Sequence, residues 1–183
     1  MSSLQGHFLI ASPHLSDGNF NRSVVLIVKH DDDGAFGLVL NRPTENSVAE
    51  IWKLVTETVT QSSEPVYLGG PVSGPLVAIH SLKTASESQV LAGVHFAARK
   101  DHLEQVVNQS KKPYRLFTGY SGWGSGQLED ELKAGGWLIA QATSELVFYH
   151  HDDLWERVIQ TIGAQILAPA VKTKHIPGNP SLN

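Results

Sequence analysis

The stretch L-F-T-G-Y-S-G-W-G-S-G-Q-L-E-D-E-L-K-A-G-G-W-L, residues 116–138, predicts a strand, a glycine-rich turn and a helix in succession. Its first three residues are typical of the end of a buried strand. Glycines follow among aromatic and hydroxyl residues, and glycine permits the positive φ angles of sharp turns. Gly126 suits the N-cap of a helix, and Glu129 would stand at the third helical position, where its carboxylate can bond to a free backbone amide. The Gly-Gly pair at 135–136 predicts the end of that helix.

The glycine-rich turn leaves two interpretations open. A turn that leads into a helix N-terminus can hold an anion through free amides and the helix dipole. The other interpretation is a structural corner that packs Tyr120 and Trp123. The glycines are followed by neither the Lys-Ser nor the Lys-Thr pair of a P-loop, and their spacing is not the dinucleotide fingerprint. Trp123 also stands where the last glycine of a G-x-S-x-G elbow belongs, so Ser121 is not predicted to be a nucleophile.

The composition is that of one soluble globular domain. The 183 residues are 41% hydrophobic and 17% charged, enough chain and apolar content for a single core. A net charge of -4 argues against a nucleic-acid binder, because phosphate affinity comes from clustered Lys and Arg. The chain has no cysteine, which excludes disulfides and thiolate chemistry. Neither a signal peptide nor a membrane-spanning run is recognisable, so we expect a cytoplasmic protein.

Hydrophobic periodicity in the rest of the chain predicts strands mixed with helices. The predicted strands cover residues 7–12, 23–30, 35–41, 66–68, 76–82, 89–96, 137–142 and 145–149, and the predicted helices cover 48–59, 97–108 and the segments after Gly126 and Asp153. The strand at 23–30 is apolar almost throughout, which indicates burial on both faces. The sequence Asp-Asp-Asp-Gly at 31–34 predicts a hairpin turn. Hairpins combined with separated helices favour the α+β class.

Polar residues that flank the apolar strands are the candidates for binding. Arg22, Asn41 and Arg42 lie at loop junctions, where polar groups can converge on a ligand. Alternatively, the two arginines anchor loops through backbone carbonyls or a carboxylate. The run His-His-Asp-Asp at 150–153 offers potential metal ligands, but neighbouring residues rarely face one ion, and helix capping explains the aspartates. No metal site is therefore predicted.

Several blocks of the sequence resemble the AlgH/YqgE family, in the family's order over about residues 5–167. The blocks are His7–Pro13, Asp17, Phe20, Arg22–Val25, His30, Gly34–Pro43, Gly69–Val72, Gly119–Trp123, Gly126–Glu129, Trp137–Leu138 and Asp153–Trp155. The resemblance implies an α+β domain with a split, mostly antiparallel sheet that curls into a pseudo-barrel with about four surrounding helices. Family members carry the label of transcriptional regulators, and the resemblance transfers neither a catalytic residue nor a cofactor.

We predict one domain over residues 1–168 and a loosely ordered C-terminal tail over residues 169–183. The predicted function is a non-catalytic binding or regulatory module that acts through a protein partner or a small anionic ligand, without cofactor or metal and without direct contact with DNA. The predicted binding residues are Arg22, His30, Asn41, Arg42, Gly119, Tyr120, Ser121, Trp123, Gln127 and Glu129. The alternative is an enzyme acting on a small anionic substrate, with Arg22 or Arg42 as anion clamp, His30 as general base and Glu129 as acid.

Overall fold

Eleven strands and five α-helices occur in the residues that the computed structural model describes, which are 2–13, 15, 17–109, 113–150 and 152–171. The strands are β1 (His7–Ala11), β2 (Val24–Asp31), β3 (Gly34–Val39), β4 (Pro43–Ser47), β5 (Pro65–Leu68), β6 (Val77–His80), β7 (Ser88–Leu91), β8 (Val94–Ala97), β9 (Tyr114–Thr118), β10 (Ser121–Gly124) and β11 (Trp137–Gln141). The helices are α1 (Val48–Val55), α2 (Lys100–Val107), α3 (Gln127–Lys133), α4 (Ser144–Val147) and α5 (Leu154–Val171). The predicted α+β class is confirmed.

The strands form two sheets. The first sheet has the order β10-β3-β2-β1-β11, and the second has the order β4-β5-β9-β6-β8-β7. β5 and β9 run parallel, and every other pairing between the described strands is antiparallel. The split, mostly antiparallel arrangement is therefore confirmed. Over the described residues both sheets remain open, so the strands do not close into a barrel.

The buried apolar side chains form three clusters, which lie between successive layers of sheet and helix. The first sheet buries both of its faces, as the almost continuous apolar sequence of β2 predicts: Val24, Leu26 and Val28 join the cluster between the two sheets, while Val25 and Ile27 pack under α3. The second sheet packs its outer face against α1 and α2, where Trp52 is 1% exposed. Alternate residues of a strand point to opposite faces, which gives this division directly.

The chain passes from the second sheet to the first between β9 and β10, and glycines make this crossing possible. Gly119 adopts φ +68° and bends the chain there. The neighbouring segment at Gly70 lies so close that a Cβ on it would be 2.3 Å from the carbonyl carbon of Tyr120. The hydroxyl of Ser121 donates to the carbonyl of Gly69 at 3.1 Å. These contacts hold two backbone segments together where the sheets meet.

Helix boundaries follow local capping. Ser47 caps α1 in a capping box with Glu50, as expected for a serine at this position. Gly126 is the N-cap of α3 with φ +75°, as predicted. The side chain of Gln127 accepts from the amide of Gly124 at 3.1 Å. The Glu129 carboxylate interacts with its own backbone amide at the third helical position, and it also bonds to the ring of His30.

Three predicted elements are wrong. Ser121–Gly124 is a strand, not part of a turn, because it pairs with β3 far away in sequence. Residues 89–96 form the two strands β7 and β8, which reverse at Gly93 with φ +77°. The predicted strand at 145–149 is the one-turn helix α4, because the hydroxyl of Thr143 accepts from the amide of Leu146 and caps a helix there.

Helix α5 continues to Val171, beyond the predicted domain boundary at residue 168. The rest of the predicted C-terminal tail, residues 172–183, lies outside the described residues. The division into a domain and a tail stays a prediction.

Candidate functional site

Arg22, Asn41 and Arg42 line one surface pocket of about 430 Å³, which we call the junction pocket. β2 begins just after Arg22, and its antiparallel neighbour β3 ends just before Asn41, so the topology brings them to the same end of the sheet. Asn41 joins the two segments, since it accepts from the amide of Val24 at 3.0 Å and donates to the carbonyl of Arg22 at 2.8 Å. The predicted convergence of these three residues is present.

Both arginines of the junction pocket also hold neighbouring segments in place. Arg42 donates to the carbonyl of Asn21 at 2.7 Å. Arg22 donates to Glu156, and its guanidinium lies 5.0 Å from the ring centre of Trp155. Arg22 has φ +53°, a left-handed backbone that non-glycine residues seldom adopt. The anchoring interpretation therefore describes their contacts, while the side chain of Arg22 keeps 59% of its surface exposed.

A second pocket of about 530 Å³, here called the inner pocket, lies beside the junction pocket. Asn41 and Asp152 line both pockets, so the two are adjoining parts of one groove. Aromatic and charged side chains surround the inner pocket, namely Glu64, Tyr67, Arg115, Tyr149, His150 and Asp152. The groove therefore runs from an exposed, charged end to a more enclosed, aromatic one.

Arg115 is the buried cation of the inner pocket. It lies on β9 and is 2% exposed. Its terminal nitrogens donate to the carbonyls of Leu40 and Tyr149, and its guanidinium lies 4.7 Å from the ring centre of Tyr67. Among the described residues Nε has no hydrogen-bond partner, and no carboxylate pairs with this side chain. Burial lowers the pKa of Arg115, as expected for a cation that has lost its hydration.

His30 and Glu129 form a separate hydrogen-bonded pair beside α3. His30 is 8% exposed, and its Nδ1 accepts from the amide of Leu4 at 3.0 Å. Because Nδ1 is the acceptor, Nε2 carries the proton and donates to Glu129 at 3.0 Å. The pKa of Glu129 is lowered, first by its own backbone amide and then by the hydrogen bond from His30. These two hydrogen bonds fix the orientation of the His30 ring.

The His30–Glu129 pair does not meet the two arginines. Arg22 precedes β2, and His30 is near the other end of the same strand. Eight residues at about 3.3 Å each separate them by roughly 25 Å. The predicted arrangement with an arginine anion clamp, His30 as base and Glu129 as acid is therefore not formed, because one strand holds its parts at opposite ends.

The predicted binding residues of the glycine-rich corner lie mainly in the core. Ser121 is fully buried, and Trp123 is 6% exposed. The indole of Trp123 donates to Glu131 at 2.9 Å, and the ring of half-buried Tyr120 lies 5.2 Å from that of Phe36. Gly119 supports the crossing between the sheets, and the side chain of Gln127 accepts from the amide of Gly124 before α3. Their contacts are those of the structural corner.

Histidines also lie together in the second sheet. His80 and His95 are directly opposite each other in β6 and β8, with ring centres 6.0 Å apart. Within the described part of the chain, no group of three or more His, Asp or Glu side chains is placed to hold a metal ion. The run at 150–153 includes His151, which lies outside the described residues. None of the described helices is both long and apolar enough to cross a membrane.

Comparison with known proteins places these features in a family. A family model described as AlgH-like matches residues 8–167. The chain belongs to the AlgH-like family. The family resemblance expected from the sequence motifs is confirmed, and the matched region contains the junction pocket, the inner pocket and the His30–Glu129 pair.

Relatives of this AlgH-like chain cover most of its length. A UPF0301 protein from Chlorobium limicola is 33% identical over 182 residues, which cover 94% of each chain. A UPF0301 protein from Cupriavidus pinatubonensis is 41% identical over 157 residues, covering 79% of this chain and 80% of the relative. The solution structure of the AlgH protein from Pseudomonas aeruginosa matches with TM-score 0.75 and 28% identity, covering 95% of this chain and 96% of that one. A crystal structure from Corynebacterium diphtheriae shares the fold, with TM-score 0.71, 23% identity and 88% coverage of both chains.

Arg115 is the site residue that sequence reasoning missed. A signal was present, because Arg115 interrupts the otherwise apolar strand Tyr114–Phe117. A charged residue in a central strand is seldom fully buried unless it has a specific partner. Periodicity alone cannot distinguish such a residue from an ordinary polar position on an exposed sheet face.

Proposed function

We propose that this AlgH-like chain is a non-catalytic, cytoplasmic regulatory module that acts on transcription through a protein partner. The observation that carries the proposal is the convergence of Arg22, Asn41 and Arg42 on the junction pocket. Trp155 lies against Arg22 in the same pocket. Exposed arginine and a neighbouring indole are a combination that protein interfaces favour, because both offer large contact areas together with hydrogen-bond donors.

The charges around the junction pocket favour a protein over DNA. Asp152 and Glu156 line it together with the two arginines, and the whole chain carries a net charge of -4. A phosphate backbone would meet carboxylates as well as guanidinium groups, and DNA affinity requires a surplus of positive charge. A protein surface with charges of both signs complements this pocket better.

The separation of the His30–Glu129 pair from the arginines also supports a binding role. An anion held by Arg22 or Arg42 would lie far from the imidazole, and general acid–base chemistry requires hydrogen-bond reach between catalyst and substrate. His30 instead has both ring nitrogens engaged within the fold. The proposal thus assigns recognition to the junction pocket and a structural role to the pair.

The test is affinity capture from a lysate of the source cells with the native chain, Arg42→Glu and Lys133→Glu. Lys133 is a matched control for the charge change, since its side chain is 74% exposed on α3, away from the junction pocket. We expect one protein to be held by the native chain and Lys133→Glu, and to bind Arg42→Glu at least about tenfold more weakly when titrated as a purified partner. If Arg42→Glu keeps its native circular dichroism and still retains every captured protein, this surface is not the partner site.

Direct DNA binding is tested separately by fluorescence anisotropy with duplex DNA at low and moderate salt. We expect no saturable binding at moderate salt. Tight binding whose affinity falls steeply with salt concentration would contradict action through a protein partner, because that dependence is the signature of phosphate contacts.

A further inference from the structure

The inner pocket contains the buried positive charge of Arg115, which forms no salt bridge with any described carboxylate. Both terminal nitrogens of Arg115 bond to neutral carbonyls, and Nε has no partner in the described part of the molecule. Its guanidinium packs on the ring of Tyr67, and exposed Glu64 at the rim favours the charged form electrostatically without a hydrogen bond to it. A guanidinium removed from water is costly to bury unless an anion or a full set of acceptors compensates it. Arg115 therefore has unused capacity for an anionic ligand.

The space beside Arg115 has the dimensions and walls of a small-molecule site. Its volume of about 530 Å³ lies within the usual range for ligand pockets, roughly 300–1,000 Å³. Tyr67 and Tyr149 provide aromatic surface along it. The hydroxyl of Tyr67 is 3.3 Å from Nδ1 of His150, which fixes the ring at the pocket wall. The walls thus suit a ligand with an apolar or aromatic body.

The rim of the inner pocket restricts the charge that can enter. Glu64 and Asp152 line it and are exposed. Carboxylates near the entrance repel a phosphate dianion about twice as strongly as a monoanion at the same distance. A carboxylate also matches the planar donor edge of a guanidinium. The pocket should therefore favour a carboxylate over phosphate.

We propose that the inner pocket binds the carboxylate group of a ligand with an apolar or aromatic body, and that the guanidinium of Arg115 provides the positive charge that holds it. The source of the group is either a free small carboxylic acid or the C-terminus of a peptide chain, which present the same chemistry to Arg115. This ligand is additional to the partner at the junction pocket. It requires no second protein, so the two proposals can fail independently.

The first experiment titrates the native chain with benzoate, benzamide and inorganic phosphate while the Nε–H signal of Arg115 is followed by nitrogen-15 NMR. We expect benzoate to shift this signal saturably and to bind at least about tenfold more tightly than benzamide, because only the anion can pair with the guanidinium. Phosphate should bind more weakly than benzoate. Equal affinities for benzoate and benzamide would overturn the proposal, as would no change in the Nε–H signal with benzoate up to about 50 mM.

Variants of the rim test the same site without disturbing the buried arginine. Glu64→Gln removes one exposed negative charge from the entrance and should strengthen benzoate binding about threefold. Asp130→Asn makes the same chemical change on α3, where the side chain is 77% exposed, and should leave the affinity unchanged. Arg115→Met should abolish binding if it folds. If Glu64→Gln changes benzoate affinity no more than Asp130→Asn does, or if Arg115→Met is folded and still binds, the site is elsewhere.

A final pair of probes identifies the source of the carboxylate. N-acetyl-Gly-Phe with a free C-terminus is compared with the same dipeptide as its C-terminal amide. Tighter binding of the free acid than of benzoate, with loss of binding in the amide, assigns the pocket to peptide C-termini. Binding of benzoate alone assigns it to small carboxylic acids. Binding of the amide as tightly as the free acid contradicts the proposed role of Arg115.

Discussion

A single buried residue, His80, makes the stability of the fold depend on pH. It is fully buried, and its Nδ1 accepts from the amide of Leu82 at 3.2 Å. Its Nε2 has no hydrogen-bond partner among the described residues. Burial, followed by the positive charges of His95 and His102, lowers the pKa of His80 to about 4. Protonating this ring inside the sheet is therefore unfavourable.

The folded protein should lose stability between pH 7 and pH 5 because of His80. Its pKa of about 4 in the folded chain is below the unfolded value, about 6.5, so the unfolded chain binds more protons as the pH falls. The stabilisation is complete above that unfolded value, and about 2 kcal/mol of it should be lost at pH 5. Urea unfolding of the native chain and of His80→Leu at both pH values measures the effect.

The free energy of unfolding at pH 7 is compared with that at pH 5 for each protein separately. Any change in stability that the substitution causes at both pH values therefore cancels. His80→Leu should lose about 2 kcal/mol less than the native chain on acidification. His7→Gln, at a half-buried position of β1, serves as the control for removing one histidine. An unchanged pH dependence in His80→Leu would mean that His80 does not carry the effect.

Sequence reasoning at the residue scale identified Arg22, Asn41 and Arg42 because strand ends can be recognised locally. It also found His30 and Glu129, and the strand predicted over residues 23–30 already implies roughly 25 Å between His30 and Arg22, which argues against the enzyme alternative. No local pattern predicts the hydrogen bond that His30 donates to Glu129, because the two residues are 99 positions apart in the chain.

At the scale of one element, a single carboxylate joins α3 to both edges of the first sheet. Glu131 accepts from the indoles of Trp123 at 2.9 Å and Trp137 at 2.8 Å, and from the amide side chain of Gln127 at 3.0 Å. The two indoles come from β10 and β11, at opposite edges of the sheet. Glu131 therefore positions a helix across strands that are not neighbours.

Replacing Glu131 by alanine should lower the free energy of unfolding by about 2–3 kcal/mol, because two largely buried indole N–H groups lose their acceptor. Asp130→Ala is the control on the same helix. Its carboxylate pairs only with exposed Lys133 among the described residues, so we expect a loss of no more than about 0.5 kcal/mol. Denaturant unfolding followed by tryptophan fluorescence measures both. Equal losses would refute the role of Glu131.

Elements with local signals were predicted well, whereas elements that depend on distant pairing were not. The N-cap of α3 at Gly126 and the start of α1 after Ser47 follow from nearby residues. β10 exists because it pairs with β3, and its Gly-rich sequence carries no strand pattern. The predicted strand at 145–149 is wrong for a local reason, because Thr143 caps a helix there.

On the scale of the whole molecule, the crossing between the sheets depends on Gly70. Gly70→Ala should destabilise the protein by about 3 kcal/mol or more, because a Cβ would lie 2.3 Å from the backbone of Tyr120 and the residue adopts φ +154°. Gly126→Ala is the control, with φ +75° and no atom within 4 Å of the added Cβ. It should cost about 1 kcal/mol. Thermal and urea unfolding measure the stability of both variants. If Gly70→Ala is destabilised no more than Gly126→Ala, the backbone at the crossing can shift to make room for a Cβ.

Fold class could be predicted from the sequence, but the arrangement of the two sheets could not. Alternating hairpins and helices are sufficient for α+β. The strand orders depend on which distant segments pair, such as β1 with β11, and no local pattern specifies them. The groove formed by the junction and inner pockets depends on this arrangement, because its walls come from both sheets and from residues near α5.

The strand order of the first sheet has a consequence for synthesis on the ribosome. β1, β2 and β3 emerge first and are adjacent in the sheet, but the strands at both edges, β10 and β11, are made after the entire second sheet. At roughly 5–20 residues per second, the three-stranded nascent sheet remains open on both sides for several seconds or more. Unpaired edges can join those of other chains. We therefore expect premature termination before Trp137 to yield aggregation-prone fragments, even though the finished chain has both strands in place.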